Sequence, residues 1–251
     1  MQLAKRKNKQ AGKVTSAERR AKVLPLTVNE RDAFLGTAAE EPWKPYAAAF
    51  ETMLLAGLRP SECYALHPTD LDLGARKLKV AKALDLDRSI KDTKTHETRT
   101  VLLSAQLTAD LKAYLHWLRQ EALRRGWGEL TWLFPTQRNT PLEAHASDVF
   151  HGICDRAQIA RHRVYDCRHS YASIALTARQ PIGFISKQLG HKTVRITLDV
   201  YAKWLPSEDD SRWTDLEPEH GTRDVQSAVN ARNHRGGMPV RALSGVQWAF
   251  R

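Results

Sequence analysis

This 251-residue chain has a middle rich in large apolar residues between two more polar ends. Residues 1–24 carry eight Lys or Arg against the single Glu18, and beyond Leu205 the chain runs through SEDDSR, EPEHGT and NHRGG. Such ends cannot bury enough surface to offset the entropy of ordering them. We therefore expect a basic disordered arm at residues 1–24, one folded domain at residues 25–205 and a polar, disordered tail at residues 206–251.

The charge of the chain favours a polyanionic partner. Lys and Arg outnumber Asp and Glu by 39 to 28, which gives a net charge of +11 and an isoelectric point near 9.7. Nucleic acid is the first candidate for that partner, although ribosomal and membrane-surface proteins share such a balance. The basic arm is either a segment that binds this partner or a solvated tail that touches nothing.

Composition also bears on location. No apolar run approaches the roughly 20 residues that a membrane span needs, and no apolar stretch of the kind found in secretory signals follows the basic N-terminus. The three cysteines are widely spaced and contain no C-x-x-C pair, which is typical of a reducing compartment. We expect a cytoplasmic protein without membrane association.

Local signals predict several helices. Thr27 followed three residues later by Glu30 has the pattern of a capping box, and the apolar stretch AAAFETMLLAG ends at Gly57, a candidate C-cap. The segment SAQLTADLKAYLHWLRQEALRRG, residues 104–126, has leucines at helical spacing. Further helices follow from about Ala144 to Trp204, separated by short breaks at residues 161–164, 179–181 and 190–193.

Between these helices, short alternating runs predict strands. LDLGARKLKV and TRTVLL are broken by turn residues, which favours a small antiparallel sheet near residues 70–103 with Lys94 to Thr98 at or near a hairpin. The predicted fold class is therefore α+β, mainly helical with a small antiparallel sheet.

Several kinds of chemistry find no support in the sequence. There is no Gly-rich phosphate loop, so we expect no ATP or dinucleotide cofactor. The spacing of His145, His151, Cys154 and Cys167 fits no common zinc pattern, so we expect no metal ion.

Four short segments carry the residues that could act on a phosphodiester. They are GLRPSE (residues 57–62), TKTHETRTVLL (93–103), YDCRHSYAS (165–173) and QLGHKTVRITLDVYAKW (188–204). Alone, each has an ordinary reading, such as a surface Arg at a helix end, a solvated Lys or a core-facing Tyr. Together and in this order they resemble the motifs of the tyrosine recombinases, the phage integrase family, over roughly residues 25–205.

The resemblance implies a role for each matching residue. Arg59 and Arg168 match the two arginines that grip the scissile phosphate. Lys94, in a K-T-x-x-x-R setting, matches the lysine that protonates the departing 5′ oxygen. His191 matches the histidine that hydrogen-bonds the phosphate, and Tyr201 matches the nucleophile.

The chemistry of phosphodiester cleavage explains why these types of residue suit the reaction. Two guanidiniums can stabilise the charge that develops on the non-bridging oxygens, and Glu62 is close enough in sequence to brace Arg59. A phenol that attacks phosphorus retains the energy of the broken bond in a phosphotyrosine, so rejoining needs neither ATP nor a metal ion.

One motif position departs from the family pattern. The third segment has the form H-x-x-R-H except that Tyr165 stands where histidine is usual. That histidine exchanges a proton with the nucleophile in the family, so the departure bears on mechanism. His169, beside Arg168, is expected to be a structural hydrogen-bonding residue.

The resemblance also implies partners and an architecture. Family members act as homo-tetramers on double-stranded DNA and form a clamp with an N-terminal helical domain. Only the basic arm of about 24 residues precedes the matched region here, so we expect a truncated product, a fragment or a member that lacks this half of the clamp.

Two alternatives to a recombinase remain. A type IB topoisomerase or telomere resolvase shares the same constellation. A decayed recombinase that only binds DNA would account for Tyr165 and for the missing domain.

Overall fold

A computed structural model of the chain describes residues 23–85, 89–92, 98–143 and 145–205. Within these ranges the helices are α1 (Val28–Ala38), α2 (Lys44–Ala56), α3 (Pro60–Tyr64), α4 (Ala105–Arg124), α5 (Ala146–Arg156), α6 (Asp166–Thr177), α7 (Ile182–Leu189) and α8 (Val194–Tyr201). The strands are β1 (Leu71–Asp72), β2 (Lys77–Val80), β3 (Lys82–Leu84), β4 (Ile90–Asp92) and β5 (Arg99–Leu102). Short 3-10 turns cover Pro68–Asp70 and Ala202–Trp204. The predicted tail, and the predicted arm up to residue 22, lie outside the described residues.

The first helix begins where the sequence predicts. The hydroxyl of Thr27 accepts a hydrogen bond from the backbone N–H of Glu30, and the Glu30 carboxylate accepts one from the backbone N–H of Thr27, which confirms the capping box. Just before it, the backbone N–H of buried Leu26 donates to Oγ of Ser170 at 2.8 Å. The start of the domain is thereby fixed to α6.

The predicted antiparallel sheet is present as two small sheets. β2 lies between β1 and β5, with Lys77 opposite Leu102 and Val80 opposite Arg99, while β3 and β4 form a separate antiparallel pair. On β2 the burial alternates, so that Leu78 and Val80 face the core. Residues 93–97, which hold most of the predicted hairpin, lie outside the described residues.

The main core surrounds α2. This helix buries Phe50, whose ring packs edge-on against those of Phe34 and Phe150. Burial of each such side chain stabilises the fold by about 1.5–3 kcal/mol. The leucines predicted for the long helix face this core from α4, namely Leu107, Leu111, Leu115 and Leu118.

A smaller apolar cluster joins the last three helices. Its buried members are Ala172, Leu176, Ile185, Leu189 and Tyr201. The three predicted breaks separate the helices α5, α6, α7 and α8 from one another. The mainly helical α+β fold is confirmed. None of the described helices is both long and apolar enough to cross a membrane.

Candidate active site

Arg59 is set at a sharp turn between two helices. α2 ends at Gly57, whose φ of 72° is left-handed, and a Cβ built there would lie 2.5 Å from the ring of Tyr171. Both facts require glycine. Two residues later Arg59 caps α3, with its guanidinium donating to Glu62 at 2.7 Å and its backbone N–H donating to the same carboxylate at 2.9 Å. The bracing of Arg59 that the sequence predicts is confirmed.

Glu62 holds a second arginine as well. Its side chain is 2% exposed, and its two oxygens accept hydrogen bonds from the guanidinium of Arg99 at 2.8 and 2.7 Å. Burial acts to raise the pKa of this carboxyl, but the hydrogen bonds and charge of Arg99 and the charge of Arg59 outweigh it and lower the pKa to about 2. Glu62 is therefore ionised at neutral pH, and its negative charge holds both cations.

Arg99 also links the sheet to α7. Its Nε donates to the backbone carbonyl of Gln188 at 3.1 Å, and its side chain runs so close to Gly190 that a Cβ there would lie 2.8 Å from it. The side-chain amide of Gln188 in turn bonds both backbone groups of Leu102 on β5. The sequence offers no local signal for these contacts, although Arg99 belongs to the lysine motif.

Arg168 lies at the centre of the site. It is 1% exposed, and its guanidinium donates to the carbonyl of Gly57 at 2.8 Å and to that of Leu189 at 2.6 Å. These carbonyls lie at the C-terminal ends of α2 and α7, where the helix dipoles favour a cation. Burial, and then the charge of Arg59, lower the pKa of Arg168 to about 10, so it remains cationic at neutral pH.

His191 follows the glycine that ends α7. Gly190 has a φ of 67°, and beyond it Nδ1 of His191 shares a hydrogen bond of 2.8 Å with Oγ1 of buried Thr197. Burial, followed by the charges of Arg168 and Arg59, lowers the pKa of His191 to about 3. The imidazole is neutral at pH 7, and with Nδ1 engaged its Nε2 is the nitrogen that can serve a ligand.

Tyr201 is the last residue of α8 and lies inside the protein. Its side chain is 2% exposed, and its hydroxyl shares a hydrogen bond of 2.7 Å with Nδ1 of His169. Burial raises the pKa of this phenol above its ordinary value, while the charges of Arg168 and Arg59 act to lower it. The sequence predicts a hydrogen-bonding role for His169, and Tyr201 is its partner.

Tyr165 lies at the solvent-exposed side of the same region. It is 43% exposed, its phenol interacts with the nearby guanidinium of Arg59, and its ring is 5.2 Å from that of His169. The phenol thus sits beside an arginine that itself has about a third of its surface exposed.

Five of the six predicted site residues therefore come together. Arg168 bonds the backbone two residues before Arg59 and two residues before His191. The next residue along α6, His169, bonds Tyr201. Lys94 lies outside the described residues. In the described part of the chain, no group of three or more His, Cys, Asp or Glu side chains could hold a metal ion.

Comparisons with known proteins identify relatives of the chain. Residues 25–208 match the model of the phage integrase family. The chain is 25% identical over 215 residues to a tyrosine recombinase XerC-like protein of Caldanaerobacter subterraneus subsp. tengcongensis. The matched region covers 74% of this chain and 55% of that protein. It is 23% identical over 176 residues to the putative defective protein IntQ of Escherichia coli, covering 62% of this chain and 44% of that protein. The chain spans about half the length of these curated relatives.

Solved structures show the same fold. The Tn1549 transposon integrase in complex with circular intermediate DNA has a TM-score of 0.60 at 19% identity, covering 84% of this chain and 66% of that one. The catalytic domain of bacteriophage HP1 integrase has a TM-score of 0.55 at 20% identity, covering 77% of this chain and 96% of that one. The match to the family model covers more than half of the chain, and the chain therefore belongs to the phage integrase family of tyrosine recombinases.

Proposed function

We propose that this chain cleaves and rejoins double-stranded DNA through a 3′-phosphotyrosine on Tyr201. The observation that carries the proposal is the position of Arg168. Its guanidinium joins the backbone beside Arg59 to the backbone beside His191, and the adjacent His169 holds the hydroxyl of Tyr201. Two cations, a neutral imidazole and a phenol are thereby held in one small region.

The two arginines are suited to a phosphodiester. Attack on phosphorus places negative charge on the non-bridging oxygens, and fixed guanidiniums stabilise that charge without reorganising. Glu62 and two helix-end carbonyls hold these groups in place before the substrate arrives. Arginines that stabilise phosphoryl transfer elsewhere contribute about 10³ to 10⁵ in rate. His191, neutral with Nδ1 engaged, is proposed to donate from Nε2 to the same oxygens.

Tyr201 has to become accessible before it can attack. With 2% of its surface exposed, it cannot be touched by DNA in this state. We propose that DNA binding displaces α8 or turns the Tyr201 ring, so that the hydroxyl reaches phosphorus. The positive charge of Arg168 and Arg59 then favours the phenolate.

The departing 5′ oxygen needs a proton, and Lys94 is the proposed donor. A lysine ammonium can protonate a strongly basic alkoxide directly, so this step requires no metal ion. The retained phosphotyrosine drives rejoining, so no ATP is consumed. Tyr165, beside Arg59, is proposed as a phosphate hydrogen-bond donor in place of the usual histidine.

Partners follow from the family. The Tn1549 integrase and the XerH recombinase have been solved as complexes with DNA. We propose that the present chain also binds double-stranded DNA, assembles on it as a homo-tetramer and acts in the cytoplasm.

The proposal is tested with a nicked suicide substrate, which traps the covalent adduct. The wild-type chain should form an adduct, and Tyr201→Phe should abolish it while DNA binding stays within a few fold. Tyr114→Phe is the matched control, since it removes another buried phenol, one that bonds the carbonyl of Leu133 and none of the proposed site residues. Arg59→Ala and Arg168→Ala should each lower cleavage by orders of magnitude. An undiminished adduct in Tyr201→Phe would contradict the proposal.

The second candidate is a DNA-binding protein with a decayed active site. Two observations favour it, the substitution at Tyr165 and the covered position of Tyr201. DNA binding by the wild-type chain with no adduct on several suicide substrates would establish it.

A further inference from the structure

We infer that His169 is a catalytic residue that accepts the phenolic proton of Tyr201 as the phenol attacks phosphorus. This inference rests on the proposed function, because it assigns the proton acceptor for the same reaction. In the family that task is linked to the histidine at the position where this chain has Tyr165. The structure provides another imidazole, four residues later on the same helix.

The geometry is that of a nucleophile and its base. Nδ1 of His169 lies 2.7 Å from the hydroxyl oxygen of Tyr201, which is an ordinary distance for an O–H···N hydrogen bond. The ring of Tyr201 packs in the apolar cluster of α6 to α8 and contacts Trp204. The hydroxyl has to keep its bond to His169 when DNA binding exposes it to phosphorus. Tyr165 is within reach of Arg59 instead, so the contact with the nucleophile belongs to His169.

The protonation state of His169 permits this role. Burial, with the charges of Arg168 and Arg163 against that of Asp166, lowers the pKa of His169 to about 4. The imidazole is therefore neutral at pH 7, and Nδ1 can accept a proton when Nε2 carries the ring hydrogen. A bound phosphodiester brings a negative charge next to Arg168, which raises the basicity of His169 when the reaction requires it.

The proposed step balances. The O–H bond of Tyr201 breaks, its electron pair forms the bond to phosphorus, and the proton passes to Nδ1 of His169. The bond from phosphorus to the 5′ oxygen breaks, and that oxygen takes its proton from Lys94. In rejoining, the 5′ hydroxyl gives its proton to the neutral amine of Lys94 as it attacks phosphorus, and His169 returns its proton to the departing phenolate.

Other charged or titratable groups lie around the imidazole of His169 and influence how the rate of adduct formation depends on pH. They are Arg163, Tyr165, Asp166 and Arg168 on α6 and the preceding loop, Tyr201 on α8, and His191 between α7 and α8.

The experiment compares two suicide substrates with the full chain, one with the natural 5′ oxygen and one with sulfur in the bridging position. Sulfur leaves as a thiolate and needs no proton, so it removes the need for an acid but not for a base. His169→Asn keeps a hydrogen-bond acceptor near the position of Nδ1 but cannot take a proton near neutral pH. We expect it to form the adduct about 100-fold more slowly than the wild type on both substrates. Lys94→Ala, in contrast, should regain its rate of adduct formation on the substrate with bridging sulfur.

A pH series on the sulfur substrate separates base catalysis from a structural role. In His169→Asn only the ionised phenol attacks, so its rate should rise roughly tenfold per pH unit, while the wild-type rate rises less. His162→Asn is the matched control, because His162 is also buried near α6 but bonds the carbonyl of Leu24. It should react like the wild type. If His169→Asn proves unstable, His169→Ala should regain activity with added imidazole.

The outcomes are distinct. Adduct formation by His169→Asn within about threefold of the wild type, or faster, would overturn the inference and leave the proposed function intact. Recovery of His169→Asn on the sulfur substrate would also overturn it, since that would make His169 an acid. Absence of a wild-type adduct at Tyr201 on either substrate would overturn the proposed function and this inference with it.

Discussion

Replacement of Glu62 by Gln should destabilise the domain as well as slow the chemistry. The substitution keeps the shape of the side chain and removes the negative charge that Arg59 and Arg99 share. A pKa lowered from 4.5 to about 2 corresponds to about 3 kcal/mol of favourable interaction with the ionised form. The side chains of Arg59 and Arg99 are 36% and 13% exposed, so their charges recover some hydration, and we expect a loss of about 2–3 kcal/mol.

The sign of the pH dependence follows from the lowered pKa. Because the pKa of Glu62 is lower in the folded state than in the unfolded state, its stabilisation is fully present above about pH 4.5 and is lost as the pH falls toward 2. The difference in unfolding free energy between the wild type and Glu62→Gln should therefore be largest at neutral pH and shrink between pH 4.5 and 2. Urea unfolding followed by circular dichroism at several pH values measures it.

A matched control is available within the chain. Glu121 also holds two arginines, Arg124 and Arg125, but it is bonded within one helix and Arg124 is 68% exposed. Glu121→Gln should lose less than Glu62→Gln, since Arg124 stays largely in water and Arg125 is 28% exposed, and pairs that water screens contribute little. If Glu62→Gln lost no more than Glu121→Gln at pH 7, the assignment of Glu62 as the charge that holds both arginines would be refuted.

Three further predictions concern the site and DNA binding. Tyr165→Phe removes the hydroxyl beside Arg59 and should slow adduct formation about 100-fold. Tyr165→His should be tolerated and shift the pH optimum of cleavage downward. Single-turnover cleavage rates of both variants across a pH series test these two expectations. Gly190→Ala places a Cβ against Arg99 at a left-handed position, so it should lower stability by about 1–2 kcal/mol and also slow cleavage; wild-type rates would contradict the packing argument. DNA binding by the chain alone should be weak, poorly specific and lost steeply between about 50 and 200 mM salt, and nanomolar specific binding at physiological salt would contradict that.

Much of the local structure could be predicted because its causes are local. A capping box needs only Thr27 and Glu30, and a left-handed C-cap needs only a glycine such as Gly57 at the end of an apolar run. The bracing of Arg59 by Glu62 spans three residues and was predicted for the same reason. The mainly helical fold and the small sheet follow from hydrophobic spacing.

Contacts between distant segments could not be predicted in this way. Arg168 bonds carbonyls 111 and 21 residues away, and Arg99 bonds a carboxylate 37 residues away. Which backbone carbonyl meets an arginine depends on how whole helices pack, and no spacing rule encodes it. The bond between His169 and Tyr201 spans 32 residues, so the sequence indicated a structural histidine without its partner.

Burial of Tyr201 could not be decided from the sequence for the same reason. A helical tyrosine in a motif can equally face the core or the substrate. Here the apolar cluster of α6 to α8 encloses the ring. The packed structure shows that Tyr201 is covered, and the proposed attack on phosphorus therefore requires a rearrangement.

The most direct test of the central claim is to map the phosphotyrosine by mass spectrometry after trapping the wild-type chain on a suicide substrate and digesting it. Two phenols lie near the paired arginines, the covered Tyr201 and the exposed Tyr165, so the assignment of the nucleophile is a real choice between them. The account predicts that the modified peptide contains Tyr201 and that Tyr165 is unmodified. An adduct on Tyr165 would contradict it.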